Sequence, residues 1–296
     1  MITGSVAYDT ILTHNGRFAD KLEKGDLRHV NLTFLANIAY ALHQLGGDPF
    51  VWSALGRDGG DYLEHFRALG IPTDGMPCLA DCFTSQAFIV TDVGGCQLAS
   101  FHPGAMDASD RLSWPEDRSV DYALLGPGGV RPMKLHARLF RERGVPYLFD
   151  PGQAGPLFTP EELRDFADGA DACAFSDFEA EYLEKVAGLT PEALSLAGKT
   201  VYHTHGEKGS TVWLAGGERV EVEAVPAKAV DPVGAGDAYR GGLLFARERN
   251  LSPVVGARIG TVLGSLKVAV RGAQNWRTTP DDVRGVYASH WGEAPF

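Results

Sequence analysis

The chain has 296 residues, a formal net charge of −11 and 44% hydrophobic residues, values typical of an ordinary globular protein. Its acidity disfavours nucleic-acid binding, which depends on clustered lysine and arginine. The sequence shows no basic leader and no run of eighteen apolar residues, so a cytoplasmic protein is predicted. Its four cysteines are too few for a disulfide scaffold in a chain of this length, and reduced thiols are the default in that compartment.

The first predicted element is an apolar strand, ITGSVAY, that ends at Asp9. Ligands gather at the carboxyl ends of strands in open α/β sheets, so Asp9 is a candidate binding residue, with a turn-forming role as its plainer alternative. Two segments, about residues 10–35 and 82–104, show strand-like alternation, and the second resembles a hairpin around a Val-Gly-Gly turn. Together they predict a small β-sheet lid.

Helices and strands alternate from residue 36 onward, which is the pattern of a mostly parallel sheet covered on both faces. The predicted helices are ANIAYALHQL, DYLEHFRALG, residues 131–143, residues 160–168 and FEAEYLEKVAG. The predicted strands are FVWSAL, DYALLG, PYLFD, ACAFS and TVYHT, followed by two antiparallel edge strands in STVWLAGG and ERVEVEAV. No repeat or linker interrupts the pattern, so a single α/β domain over residues 1–296 is expected.

Residues 231–242 read DPVGAGDAYRGG. Gly234, Ala235 and Gly236 can bring backbone N–H groups close to a ligand, because they carry little side-chain bulk. The stretch predicts a turn that follows a strand and leads into a helix, whose free N–H groups and dipole favour an anion. Asp237 falls in the first turn of that helix. On the residues alone, it could also be an acid that merely stabilises the dipole.

Two other glycine-rich stretches fail the patterns that they suggest. Gly198-Lys199-Thr200 lacks the earlier glycine of a P-loop and precedes a predicted strand. The Gly-Pro-Gly-Gly stretch at 126–129 lacks the last glycine of a dinucleotide fingerprint.

The chain resembles the ribokinase-like, or PfkB-type, carbohydrate and nucleoside kinases over most of its length. Asp231–Leu244 fits the family's C-terminal signature, and Asn37 begins a match to the second half of its N-terminal signature. Residues 204–209 resemble a T-x-G-x-x-G turn that lies against the nucleotide, residues 176–179 stand in place of N-x-x-E, and RGAQ at 271–274 resembles a nucleotide loop. GSVAYD, FHPGAM, FDPGQ and DPVGAGDAYRGG are most similar to bacterial adenosine kinase-like proteins.

The resemblance implies a three-layer α/β/α fold with a lid, and transfer of a phosphoryl group from ATP, with Mg²⁺, to a primary hydroxyl of a nucleoside or sugar. A requirement for K⁺ near Asp231, known in some relatives, stays open. The implied site residues are Asp237 (catalytic), Gly234, Ala235 and Gly236 (anion hole), Asp9, Asn37 and His102 (substrate), Thr204, Gly206 and Gly209 (ATP), and Glu179 (metal, through water).

Two positions depart from the family's pattern. Ser176 replaces the asparagine of N-x-x-E, so Glu179 alone carries the link to magnesium. The Gly-Gly pair expected before Asn37 is absent, and relatives have roughly a dozen more residues between the positions of Leu35 and Ala36. Either the loop is truly deleted or the sequence joins the two ends of a longer segment.

Several alternatives remain at this stage. The acceptor could be ribose, fructose or a phosphorylated hexose, and the two departures also suit a non-catalytic nucleotide- or nucleoside-binding protein of the same fold. Asn37 could be a helix N-cap, and His102 could be structural. Phe34, Phe88 and Phe101 could stack on a nucleobase or pack in the core. An exposed lid sheet could also pair with a second copy in a homodimer.

Overall fold

In the computed structural model of the chain, residues 1–14, 27–91 and 97–296 are described. The strands are β1 Ile2–Thr3, β2 Ala7–His14, β3 Leu27–Leu35, β4 Leu55–Gly56, β5 Cys78–Leu79, β6 Ser85–Thr91, β7 Gln97–His102, β8 Ala123–Leu125, β9 Tyr147–Phe149, β10 Ala172–Ser176, β11 Thr200–Thr204, β12 Ser210–Trp213 and β13 Arg219–Val222. The helices are α1 Asn37–Gln44, α2 Gly60–Leu69, α3 Val130–Glu142, α4 Pro160–Gly169, α5 Asp177–Ala187, α6 Pro191–Leu196, α7 Ala235–Glu248, α8 Pro253–Val268 and α9 Pro280–Trp291. Short 3₁₀ turns cover Gly104–Arg111, Gly152–Leu157 and Gly206–Lys208.

The large sheet has the strand order β1-β8-β9-β10-β11-β12-β13. The strands from β1 to β11 pair in parallel, whereas β12 and β13 add to the edge antiparallel. The predicted mostly parallel sheet with antiparallel edge strands is therefore confirmed. Its connections are helical because parallel neighbours need a crossover of a dozen or more residues.

The sheet separates two hydrophobic cores. Successive side chains of a strand point to opposite faces, and β10 shows this directly. Ala172 and Ala174 belong to the core that includes the buried residues of α1, α7 and α8. Cys173 and Phe175 belong to the core that includes the buried residues of α3, α4 and α5. The predicted three-layer α/β/α class is thus confirmed.

Local sequence sets the ends of most helices. The side chains of Thr159, Ser176 and Thr279 accept hydrogen bonds at the starts of α4, α5 and α9, each within a capping box. Gly70 and Gly188 close α2 and α5 in the left-handed conformation, which glycine adopts without steric cost. These signals are readable in the sequence, and the predicted helices there are confirmed.

The smaller sheet has the order β3-β2-β6-β7 and is formed by the segments predicted to be a lid. The β6–β7 hairpin is confirmed, although its Val-Gly-Gly turn lies outside the described residues. The predicted N-terminal strand is wrong in its extent. It divides into β1, in the large sheet, and β2, in the lid, so Asp9 is the third residue of a lid strand.

Two further sequence predictions differ from the structure. FVWSAL is not a continuous strand, since Val51 makes an isolated bridge to Ile2 and only Leu55–Gly56 forms a short strand. No strand runs directly into the glycine-rich turn either, because β13 ends at Val222 and residues 223–229 carry no regular structure. At the position of the absent glycine pair, the backbone passes from β3 to α1 through Ala36 alone. No helix among the described residues is long and apolar enough to cross a membrane.

Candidate active site

The glycine-rich turn begins α7 with Gly234, whose φ of 82° lies in the left-handed region. A Cβ at this position would lie 3.2 Å from the Cβ of Ala273, so both the backbone angle and the close packing favour glycine. Within the described chain, the N–H groups of Gly234 and Gly236 have no hydrogen-bond acceptor. The N–H of Ala235 instead donates to the carbonyl of Pro232 at 3.1 Å. The N–H of Ala235 thus tightens the turn, and the three-amide anion hole of Gly234, Ala235 and Gly236 stays a prediction.

Asp237 lies in the first turn of α7, as predicted, and lines a cleft. The buried Asn37, the first residue of α1, donates from Nδ2 to Asp237 Oδ2 at 2.8 Å. Oδ1 of Asp237 makes no hydrogen bond to the described residues, so it can accept one from a ligand. The cleft is also lined by Gly126 and Pro127, which belong to the Gly-Pro-Gly-Gly stretch that does not fit a dinucleotide fingerprint.

Asn37 is held by side chains that the sequence did not identify as its partners. Its Oδ1 accepts a hydrogen bond from Gln274 Nε2 at 3.2 Å, and Gln274 Oε1 lies 2.9 Å from His65 Nε2. Ala36, not Asn37, is the N-cap of α1, so the capping alternative for Asn37 is wrong. The RGAQ loop thus fixes the amide that orients Asp237.

Asp9 is a buried acid, with 4% of its surface exposed, and its Oδ1 has no hydrogen-bond partner among the described residues. Burial, with the negative charge of Asp237 as a second cause, raises the pKa of Asp9 to about 7. A buried carboxylate without a donor is costly, and a ligand hydroxyl would relieve that cost. Asp9 is therefore close enough to Asp237 for the two charges to interact, and its role in substrate binding stays a prediction.

Arg240 was not predicted, although it lies one helical turn beyond Gly236. It is buried and forms an ion pair with Asp150, donating from Nη2 to Asp150 Oδ1 at 2.7 Å. The same guanidinium lies 3.6 Å from Glu179 Oε2 and donates to the carbonyl of Gly236 at 3.2 Å. Burial alone would lower the pKa of Arg240, but the two carboxylates raise it, so the guanidinium stays charged. Arg240 thereby ties the first turn of α7 to β9 and α5.

Glu179 has a structural role that the sequence only partly suggested. Its Oε2 accepts a hydrogen bond from the N–H of Ser176 at 2.7 Å, and Ser176 Oγ accepts from the N–H of Glu179 at 3.4 Å. Serine caps α5 here, so replacing the family's asparagine does not disrupt the start of the helix. Glu179 Oε1 has no partner among the described residues. The carboxylate can therefore take part in a magnesium site, which ordinarily includes one or two carboxylates together with phosphates and water.

The ammonium group of Lys267 lies beside Asp231, near which a K⁺ ion was considered. Lys267 has no exposed surface, and its Nζ donates to the carbonyls of Asp231 and Val270 at 2.8 and 3.2 Å. The carboxylate of Asp231 lies 3.8 Å from the same Nζ and accepts hydrogen bonds from the N–H groups of Val233 and Gly272. Burial lowers the pKa of Lys267, while Asp231 opposes that effect. A positive charge built into the chain thus joins the glycine-rich turn to the RGAQ loop.

We expect the protein to need no K⁺, because Lys267 Nζ already bonds to the carbonyl of Asp231. Initial rates measured at one ionic strength in KCl, NaCl and tetramethylammonium chloride should be equal. A rate that rises with K⁺ and saturates would contradict this assignment of the Lys267 ammonium.

Thr204 is the last residue of β11, and Gly206 and Gly209 lie on the turn that follows it. Thr204 Oγ1 donates to the carbonyl of Phe175 at 3.3 Å, which secures the turn to β10. Gly206 and Gly209 have φ of 58° and 95°, and a Cβ on Gly209 would lie 2.2 Å from the carbonyl of Val222. Both glycines are thus required by the backbone. Contact with a nucleotide remains a prediction for these three residues.

The structure does not bring His102 to the substrate residues. Asp9, Ala87 and Phe101 lie in register across three lid strands, whereas His102 lies in the neighbouring row with Gln86. Adjacent rows point to opposite faces of a sheet, so Phe101 shares a face with Asp9 and His102 does not. Phe101 is 49% exposed and is the better aromatic candidate on that face.

The other two lid aromatics are less informative. Phe88 is opposite Ser100 in the β6–β7 register, which places it in a row that alternates with that of Phe101. The side chain of Phe34 lies outside the described residues.

Comparison with known proteins agrees with this geometry. The profile of the pfkB family carbohydrate kinases matches residues 2–280. A nucleoside kinase of Methanothermobacter thermautotrophicus is 27% identical over 276 residues, which are 91% of this chain and 88% of that protein. A ribokinase of Staphylococcus aureus is 26% identical over 298 residues, covering 93% of this chain and 94% of the ribokinase.

A solved structure also matches nearly the whole chain. Burkholderia thailandensis nucleoside kinase in complex with inosine gives a TM-score of 0.91 at 34% identity and covers 99% of both chains. The same protein in complex with ADP-inosine gives a TM-score of 0.88 at 34% identity, covering 99% of this chain and 96% of that one.

Proposed function

The chain belongs to the pfkB family of carbohydrate kinases, and we propose that it phosphorylates the primary hydroxyl of a purine nucleoside at the expense of ATP. It is an ATP-dependent kinase by its family, so the proposal concerns the acceptor and the residues. The observation that carries it is the Asn37–Asp237 hydrogen bond of 2.8 Å, which orients a carboxylate that lines a cleft. This carboxylate lies at the start of α7, where the N–H groups of Gly234 and Gly236 have no acceptor among the described residues.

Asp237 accepts the proton of the attacking hydroxyl and orients its oxygen. The new bond forms between that oxygen and the γ-phosphorus of ATP, the bond from the γ-phosphorus to the β,γ-bridging oxygen breaks, and ADP leaves. A loose transition state keeps the hydroxyl proton in place until late, so the position of the carboxylate matters more than its basicity. Asn37 provides that position by holding Oδ2.

No acceptor in the described part of the chain competes for the N–H groups of Gly234 and Gly236, which leaves them available to an anion. Together with the positive end of the α7 dipole, they stabilise the charge that develops on the transferred phosphoryl oxygens. The N–H of Ala235 would join them only by giving up its hydrogen bond to the carbonyl of Pro232.

Mg²⁺ would neutralise phosphate charge when it is bound with ATP. Glu179 would contribute through water, as its place in the family's motif implies, and Oε1 is the oxygen available for this because Oε2 accepts from the N–H of Ser176. Thr204, Gly206 and Gly209 would contact the nucleotide, as their place in the family's turn implies.

Asp9 would accept hydrogen bonds from ribose hydroxyls. The orphaned Oδ1 and the buried position support this role, because a bound diol supplies the donors that the protein does not. Nucleosides and sugars both carry such a diol, so Asp9 does not distinguish between these two classes of acceptor. The nucleoside is preferred because the Burkholderia thailandensis enzyme, at 34% identity over 99% of the chain, is a nucleoside kinase.

We expect nucleoside affinity to rise about tenfold between pH 6 and pH 8, because an acid of pKa about 7 is mostly neutral at the first pH and mostly ionised at the second. In Asp237→Asn, the midpoint should move to lower pH, since one of the two causes of the raised pKa is gone. Calorimetric titration with inosine in the absence of ATP, repeated across this pH range, measures the affinity and its midpoint pH for wild-type protein and for Asp237→Asn. A flat profile in both proteins would show that ionised Asp9 does not bind the substrate.

An acceptor screen tests the proposed function. Full-length protein with Mg²⁺ and ATP is assayed for ADP production with adenosine, inosine, guanosine and cytidine, and with ribose, fructose and fructose 6-phosphate. We expect the highest kcat/KM with a purine nucleoside. Preference for ribose or fructose would assign the chain to sugar kinases, which the match to a ribokinase keeps open. ATP and nucleoside binding without product would indicate a non-catalytic binding protein.

A further inference from the structure

A group of three side chains that the reaction does not use lies at the start of α5. Among the described residues, Asp177, His203 and His205 present ligand atoms that all lie within 4.8 Å of one another. Asp177 Oδ1 is 3.0 Å from His203 Nε2 and 2.6 Å from His205 Nδ1, and the imidazole centroids are 4.3 Å apart. Two imidazole nitrogens and one carboxylate oxygen thus converge on one point.

The fold produces this convergence. β10 and β11 are parallel neighbours, with Phe175 opposite His203 and Ser176 opposite Thr204. His203 and His205 are two residues apart on an extended segment, so their side chains emerge on one face. Asp177, the first residue after β10, comes to the same edge of the sheet.

Hydrogen bonds around His205 define which of its nitrogens carries a proton. Thr211 Oγ1 donates to Glu221 Oε2 at 2.9 Å, because an ionised carboxylate can only accept. The hydroxyl of Thr211 must then accept from His205 Nε2, which lies 2.9 Å away. Nε2 is therefore the protonated nitrogen of a neutral His205 ring.

The other nitrogen of that ring then has no proton to offer. In the neutral ring, Nδ1 of His205 carries a lone pair and faces Asp177 Oδ1 at 2.6 Å, so two acceptors oppose each other. His203 Nε2 is likewise buried and lies near Asp177 Oδ1 without the alignment of a hydrogen bond. Either a second proton on the imidazole or a cation between the ligand atoms relieves this contact.

We propose that Asp177, His203 and His205 bind a divalent transition-metal ion such as Zn²⁺. Imidazole nitrogens with a carboxylate suit Zn²⁺ and its neighbours, whereas Mg²⁺ prefers oxygen ligands alone. Three protein ligands leave a fourth, tetrahedral position for water. Thr211 and Glu221 supply the outer hydrogen bonds that usually orient a metal-binding histidine.

The three groups need little rearrangement to hold an ion. Asp177 Oδ1 lies 3.0 Å from His203 Nε2 and 2.6 Å from His205 Nδ1. Tetrahedral bonds of about 2 Å need ligand atoms about 3.3 Å apart, so the exposed Asp177 carboxylate would have to move away from the two imidazole nitrogens by less than about 1 Å.

The site adjoins the turn that carries Thr204 and Gly206. If the proposed function holds, a bound ion would fix the turn that contacts ATP. Binding of the ion itself does not depend on that function.

Metal binding is tested on EDTA-stripped protein without ATP or nucleoside. Calorimetric titration with Zn²⁺ at pH 8 should show one ion per chain, and Co²⁺ should give the visible absorption bands of a tetrahedral complex. His205→Ala and Asp177→Ala should lose both signals, whereas His290→Ala, at an exposed histidine of α9, should keep them. Thr211→Val should weaken binding about tenfold by removing the outer hydrogen bond.

Affinity should fall as the pH is lowered to 5.5, because protons compete for the imidazole nitrogens. Circular dichroism in EDTA checks that each variant is folded. Failure of wild-type protein to bind Zn²⁺ at pH 8, or equal binding by folded His205→Ala, would overturn the proposal. Either result would leave the acceptor screen unaffected.

Discussion

Replacing Asp237 by asparagine is expected to lower kcat by a factor on the order of 10² or more, while ATP binding stays nearly intact. The amide cannot accept the proton of the attacking hydroxyl. It keeps the size of the side chain, and the N–H groups of Gly234 and Gly236 that face the phosphate are unchanged. Steady-state kinetics gives kcat, and calorimetry with a non-hydrolysable ATP analogue gives the nucleotide affinity.

Asp61→Asn is the matched control, since Asp61 also lies in the first turn of a helix but is exposed on α2. It should keep the wild-type kcat. Retention of most activity by Asp237→Asn would remove Asp237 from the catalytic role. A parallel loss in both variants would point to a general effect of first-turn acids on helix stability.

Replacing Arg240 by methionine should lower the free energy of unfolding by about 3 to 5 kcal/mol, because it leaves the buried Asp150 carboxylate without its partner. The midpoint of thermal unfolding should fall by on the order of 10 °C. Arg138→Met is the control, since Arg138 forms an exposed pair with Glu142 and should contribute less than about 1 kcal/mol.

The loss of unfolding free energy in Arg240→Met should depend on pH. Burial raises the pKa of Asp150, and removal of Arg240 raises it further. An acid whose pKa is higher in the folded state destabilises that state as the pH rises through this pKa, and does so less at low pH. The Arg240→Met deficit should therefore be smaller at pH 5.5 than at pH 8. Equal deficits at both values would mean that lost packing, not an unpaired carboxylate, causes the effect.

Much of the fold follows from periodicity and end signals in the sequence. Most predicted helices after residue 36 begin at a readable cap or end at a readable glycine, as with Ser176 and Gly188 around α5. The division of the N-terminal strand was not predictable. It occurs at Gly4, whose φ of 136° accompanies a close approach to the backbone of Gly126 and Pro127. That approach depends on residues more than a hundred positions away.

The candidate site likewise contains residues that local motifs predict and residues that only distant contacts bring together. Asp237, Gly234 and Asn37 were found because they occur in short motifs with a local physical meaning. Gln274 and Asp150 were missed as partners, because their contacts join residues 237 and 90 positions apart. Arg240, in contrast, can be recognised from its neighbours in the sequence.

The neighbours of Arg240 on α7 are buried. Arg240 lies in a run of buried residues from Ala238 to Ala246, and a charged side chain in such a run needs a buried partner. The sequence could therefore have predicted an acidic partner for Arg240, although not its identity.

Proton-coupled ³¹P NMR of a reaction of inosine with ATP tests whether Asp237 and the two glycine N–H groups promote phosphoryl transfer to the primary hydroxyl of a nucleoside. A new phosphomonoester triplet, from coupling to the two 5′ protons, should grow in step with ADP and should be lost with Asp237→Asn. Release of inorganic phosphate without this triplet, or an undiminished triplet from Asp237→Asn, would rule out this role of Asp237.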